Sequence, residues 1–148
     1  MRMIWFVAVF LLPTCVYGQT ARPGSMEMLQ SLLKSGVIAK IEILRMPDEV
    51  MTRTSVTPTF LRSDASYTVT FKNELERTFG PLLSEMTPKR SSKNSDLRWG
   101  ILFYNGSGQE IDSVFVDKFG EKGYMNGETV EFGSNLAKRL RQIIRELH

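Results

Sequence analysis

Histidine and cysteine, the two residues most often found in enzyme active sites, are nearly missing. The 148-residue chain holds one histidine, His148, and one cysteine, Cys15. A histidine at the end of a chain is expected to fray and be solvated, so a Ser-His-Asp or Cys-His arrangement has no base held within reach of its nucleophile. Zinc, copper and haem sites lose their usual ligands by the same shortage, which leaves only oxygen-ligand cations. Charge of one sign is also scarce. With 19 basic and 16 acidic side chains the formal net charge is +3, too weak an excess to demand an anionic partner. No glycine-rich phosphate loop follows a strand pattern, and neither a cofactor nor nucleic acid is expected.

Long apolar runs are absent except at the start. Arg2 is followed by the apolar stretch Ile4 to Leu12, with Val16 and Gly18 at the small-residue positions of a cleavage site, the pattern of a secretory signal cut after Gly18. The stretch is shorter than the ~20 residues that span a bilayer, and Pro13 interrupts its end. Thr14 and Pro13 fit poorly before a lipidated cysteine, so Cys15 is expected to leave with the signal. The reading is therefore a signal peptide over 1–18, a flexible leader over 19–24 and a single domain over 25–148, secreted or periplasmic. Without a thiol that domain must be held by its core alone, and it is long enough to form one.

Periodicity orders the rest. Ser25 caps a short helix with Met28, Leu29, Leu32 and Leu33 at helical spacing, closed by Ser35-Gly36. Val37 to Met46 alternates as a half-buried strand, with Val37, Ala39, Ile41 and Ile43 expected on one face and Lys40 and Glu42 on the other. A β-rich piece over Thr52–Val56 leads to Thr57-Pro58, an N-cap with proline at the first helical position, and a helix to about Arg62. Tyr67–Phe71 is a strand. Leu75, Phe79, Leu82, Leu83 and Met86 form a helical stripe in which Gly80-Pro81 predicts a kink or break. Thr87–Asp96 reads as a polar loop.

The second half has the firmest signals. Arg98–Tyr104, Gln109–Val116, Lys122–Met125 and Glu128–Phe132 are strands joined by Asn105-Gly106-Ser107-Gly108, Asp117-Lys118-Phe119-Gly120 and Asn126-Gly127, the last a strong two-residue hairpin signal. Ser134 or Asn135 caps a final helix with an apolar stripe from Leu136 to Leu147 and Lys138, Arg141 and Arg145 opposite. The fold class expected is α+β: a mainly antiparallel sheet with a four-strand C-terminal meander and helices packed on one face.

Candidate functional residues follow. Asn105–Glu110 resembles a calcium loop but carries a single acid, and Asn105-Gly106-Ser107 is a glycosylation sequon of use only in a eukaryotic pathway. Glu110 and Asp112, two apart in a strand, should share a face, with Asp117 nearby; these are the candidate acids for a third reading, carboxylate-dependent hydrolysis. The leading expectation is instead a non-enzymatic, inhibitor-like or accessory module that engages a protein in the cell envelope or outside the cell. Its weak candidate anchors are Trp99, Phe119 and Tyr124, aromatic residues of the meander. A second reading is contact with an anionic polymer or lipid through Lys89, Arg90 and Lys93 of the loop and Lys138, Arg141 and Arg145 of the last helix.

Overall fold

In the computed structural model, which describes residues 25–146, the apolar periodicity resolves into four helices and seven strands. The expected signal and leader, Cys15, Leu147 and His148 lie outside the described residues. In chain order come α1 (Met26–Lys34), β1 (Ile38–Arg45), α2 (Pro58–Asp64), β2 (Tyr67–Phe71), α3 (Leu75–Glu85), β3 (Lys89–Arg90), β4 (Leu97–Asn105), β5 (Glu110–Asp117), β6 (Lys122–Met125), β7 (Glu128–Glu131) and α4 (Leu136–Arg145). All seven strands join one sheet in the order β2-β1-β4-β5-β6-β7-β3, and every neighbouring pair is antiparallel.

Local chemistry accounts for most boundaries. Ser25 Oγ accepts the Met28 N–H at 3.2 Å, Thr57 Oγ1 accepts that of Phe60 at 3.2 Å and Asn135 Oδ1 accepts that of Lys138 at 3.0 Å, so three helices begin on side-chain caps. The β6–β7 turn places Asn126 and Gly127 at φ +53° and +78°, both positive as a type I′ hairpin requires. The meander β4-β5-β6-β7 runs in the expected succession.

Four expectations are corrected. The sheet is covered on both faces, not one. α1, α3 and α4 enclose the main core with Ile41, Ile43, Trp99, Ile101, Phe103, Val114 and Val116, whereas Leu61 of α2 packs on the opposite face against Leu44, Leu102 and Phe115. α3 continues through Pro81 without the break that was one of the two expected outcomes, because burial of Phe79, Leu82 and Leu83 at 0 % exposure outweighs one missing backbone bond. Thr52–Val56 forms no strand: Val56 is pulled inward, its N–H bonded to Asp96 Oδ1 at 2.8 Å and its carbonyl to the Leu97 N–H at 3.2 Å. The polar loop Thr87–Asp96 contains β3, which pairs Lys89 with Glu131 and Arg90 with Val130.

Register explains a smaller departure in β1. An irregularity between Ile38 and Lys40 in the pairing with β4 turns Ile38 inward, leaving Val37 45 % exposed and Ala39 exposed, while Ile41 and Ile43 keep the expected face.

Candidate functional site

The acids expected to act together are held apart. β5 carries an extra residue against β4: Phe103 faces Asp112 but Tyr104 faces Glu110, so the bulge at Ile111 sends Glu110 to the α2 side and Asp112 to the other. Glu110 is ion-paired with Arg62, whose guanidinium also donates to Ser113 Oγ at 2.9 Å and covers the Phe115 ring at 4.7 Å. Burial pushes the Asp112 carboxyl up and nearby Glu110 adds to the rise, against a hydrogen bond from the Ser113 N–H at 2.6 Å; its Oδ2 has no hydrogen-bond partner among the described residues. Asp117 is a turn-former, its Oδ1 accepting the N–H groups of Phe119, Gly120 and Glu121 at 3.1, 2.7 and 3.1 Å. These three carboxylates do not converge.

The loop resembling a calcium site is closed on itself. Asn105 Oδ1 accepts from Ser107 N–H at 3.1 Å, Ser107 Oγ at 2.7 Å and Gln109 N–H at 2.9 Å, which fixes the hairpin tip.

Among the aromatic candidates, Trp99 is corrected from anchor to core. At 1 % exposure it has two guanidinium groups against its ring, that of Arg45 at 4.9 Å from the ring centre and that of Arg141 at 5.6 Å. Tyr124 is half-buried against the α2-side cluster opposite Phe115. Phe119 is 51 % exposed, with the Lys118 ammonium 4.8 Å from its ring centre.

The basic candidates do not form one field. Arg90 is paired bidentately with Glu128 on the sheet edge, and the pairing holds its guanidinium pKa above the ordinary value. Lys89 lies on β3 and Lys93 in the turn beyond it, both exposed. Lys138 and Arg145 are exposed on α4, whereas Arg141 is half-buried, donating to the Lys118 carbonyl at 3.3 Å and standing 3.9 Å from Asp48.

What the structure brings together is one end of the sheet. Asp48, Asp96, Arg98, Asp117, Lys118 and Phe119 line a cleft of about 360 Å³ there. Arg98, only 8 % exposed, is its keystone: it donates to Asp96 Oδ2 through Nε at 2.9 Å and Nη2 at 2.5 Å, and to the carbonyls of Pro47 and Val50 at 3.2 and 2.9 Å. This knot fastens the β1–α2 loop to the start of β4. The loop carries Val50, 37 % exposed, and Met51, 94 % exposed, neither of which sequence reasoning singled out. The turn bearing Phe119 is fastened as firmly. Gly120 has φ +75°, and a Cβ there would collide with the backbone nitrogens of Leu136 and Ala137 at the start of α4. Comparison with protein families, curated proteins and solved structures returns no match.

A larger hollow, about 690 Å³, lies beside α1 and is floored by Met26, Met86, Met125 and Val130 with Arg90 and Glu128 at its rim. Its open apolar floor offers no reacting group. Among the described residues no three His, Cys, Asp or Glu side chains assemble as metal ligands, and no helix is long and apolar enough to cross a membrane. The Phe119 end is thus suited to contact: an exposed ring stands beside charged side chains on a turn already immobilised.

Proposed function

We propose that the protein is an exported, non-enzymatic binding module that engages a protein partner through the surface around Phe119, Val50 and Met51. The observation that carries this reading is the half-exposed Phe119 ring on a turn whose three N–H groups are tied to one carboxylate and whose glycine is wedged against α4. A large apolar group held in place before binding loses little entropy when a partner covers it. Apolar anchors ringed by charge are also the usual anatomy of a protein contact. The separation of Glu110, Asp112 and Asp117 adds support by removing the carboxylate cluster that hydrolysis would use.

A photo-crosslinking amino acid placed at Phe119, and in a control at Thr59 on α2, tests the proposal in extracts of the source cells. A discrete adduct is expected from position 119 and none from 59, and its yield should persist as salt rises. No adduct at 119 overturns the proposal. So does capture that collapses with salt and is abolished by Lys138→Ala with Arg145→Ala, which would favour an anionic polymer or lipid surface.

A further inference from the structure

The two edges of the sheet are unlike. One ends in β3, two residues long, preceded by Pro88 and made of Lys89 and Arg90, features that discourage another strand from pairing there. The other ends in β2, Tyr67-Thr68-Val69-Thr70-Phe71, which has no charge, proline or glycine and matches β1 residue for residue. Among the described residues no strand pairs with its outer side.

The order of residues in β2 adds a second observation. The strand reads aromatic, Thr, Val, Thr, aromatic in either direction. A segment of that kind is complementary to itself when two copies lie antiparallel about a two-fold axis through Val69. Val69 then faces Val69 of the partner subunit, Thr68 faces Thr70 of the partner subunit, and Tyr67 faces Phe71 of the partner subunit. Each unlike contact occurs twice, as two-fold symmetry requires. Threonine–threonine and aromatic–aromatic pairs are among the favourable cross-strand neighbours.

The faces agree with this register. Tyr67, Val69 and Phe71 share the side of the main core, where Phe71 meets Phe79 edge-on at 4.9 Å and 88° and Tyr67 is left 59 % exposed. Set opposite Phe71 of the partner subunit, the uncovered Tyr67 ring would extend that aromatic cluster. Thr68 and Thr70 are exposed on the other face, and a shift of one residue would set aromatic rings against them.

We propose that the protein associates with a second copy of itself through β2, forming one antiparallel sheet continuous across a two-fold axis at Val69. A dimer would present the Phe119 turn twice and strengthen binding to a repeated partner. Five paired residues fall short of the ~800 Å² per partner of a standard interface, and the association is therefore reversible.

Sedimentation of the purified protein, at concentrations up to about 1 mM where even weak association registers, is the test. The expected result is a concentration-dependent monomer–dimer equilibrium. Thr68→Lys with Thr70→Lys places like charges opposite one another and should give monomer at every concentration; both positions are exposed, so circular dichroism and Tm should stay unchanged. The matching Thr68→Glu, Thr70→Glu protein should also be monomeric. Mixing the two should restore a dimer, because each lysine then faces a glutamate. A wild-type protein that stays monomeric, a dimer that survives the lysine substitutions, or a mixture that fails to associate would each overturn the proposal.

Discussion

The main core and the α2 side of the sheet solve the same problem with different materials. Three helices close the first, where rings and aliphatic chains from every strand except β3 pack together. One helix of seven residues closes part of the second, over Leu44, Leu61, Leu102 and Phe115, and the surface beyond is finished with charge. There Lys40 bonds Glu42 at 2.8 Å and lies 3.8 Å over the Tyr104 ring, Tyr104 donates to Glu42 at 2.9 Å, and Arg62 joins Glu110 and Ser113. The contrast teaches where stability comes from. Apolar burial does not titrate and is not screened by salt, whereas the polar side can be weakened by either pH or ionic strength.

The largest expected effect sharpens this division. Phe79→Ala in the main core should cost about 3–5 kcal/mol, against about 2–3 kcal/mol for Leu61→Ala under α2, measured by denaturant unfolding. Amide exchange should show Leu61→Ala loosening α2 while β5 and β6 stay protected. Equal costs, or global loosening by Leu61→Ala, would erase the distinction.

Next comes Tyr104→Phe, worth about 1 kcal/mol at neutral pH for the lost hydrogen bond. Burial and then the Glu42 bond and charge push the Tyr104 phenol up to about 12. An acid whose folded pKa is raised keeps its stabilising contribution below its ordinary value, near 10, and loses it as pH rises toward the folded value. Burial alone would push the Glu42 carboxyl up, but the Lys40 and Tyr104 hydrogen bonds and the Lys40 charge outweigh it and hold it below its usual range. A lowered acid contributes stability above its ordinary pKa that disappears as pH falls through the folded one. Stability measured against pH should fall at both ends, and Tyr104→Phe should flatten the alkaline limb; an unchanged limb would show that the network is idle.

The smallest effect concerns Asp112, a charge on the main-core side of β5. Its pKa is raised, so folding binds a proton: the penalty is complete above the folded value and is relieved as pH falls below the ordinary one. Asp112→Asn keeps the oxygen that accepts the Ser113 N–H and removes the charge. Thermal unfolding should show a stabilised variant at neutral pH and no difference in acid; a loss of stability at neutral pH would assign the carboxylate a partner.

How far residues announced these roles depended on range. Ser25, Thr57-Pro58 and Asn126-Gly127 act on groups within a few positions, and their helices and hairpin were legible. So was the turn that carries Phe119, set by Asp117 and Gly120. Contacts across the chain were not. Val56 is captured by Asp96, forty residues on, and β3 exists only because β7 arrives beside it. Trp99 in a strand is equally compatible with core and surface until the helices are seen to cover it and Arg45 and Arg141 to pack on its ring. The bulge that parts Glu110 from Asp112 depends on what β4 offers in register. Met51 follows Val50, whose carbonyl is held by Arg98 forty-eight residues on, and nothing near Met51 in the sequence signals its exposure.

β5 ends in two hairpin turns with opposite tolerances. At one end Gly106 has nothing within 4 Å of where a methyl would sit; at the other, Gly120 is filled by the backbone of α4. A grafted epitope or affinity tag belongs at Gly106, where added chain meets only solvent. Spliced in at Gly120, the same insert would prise the last helix from the sheet.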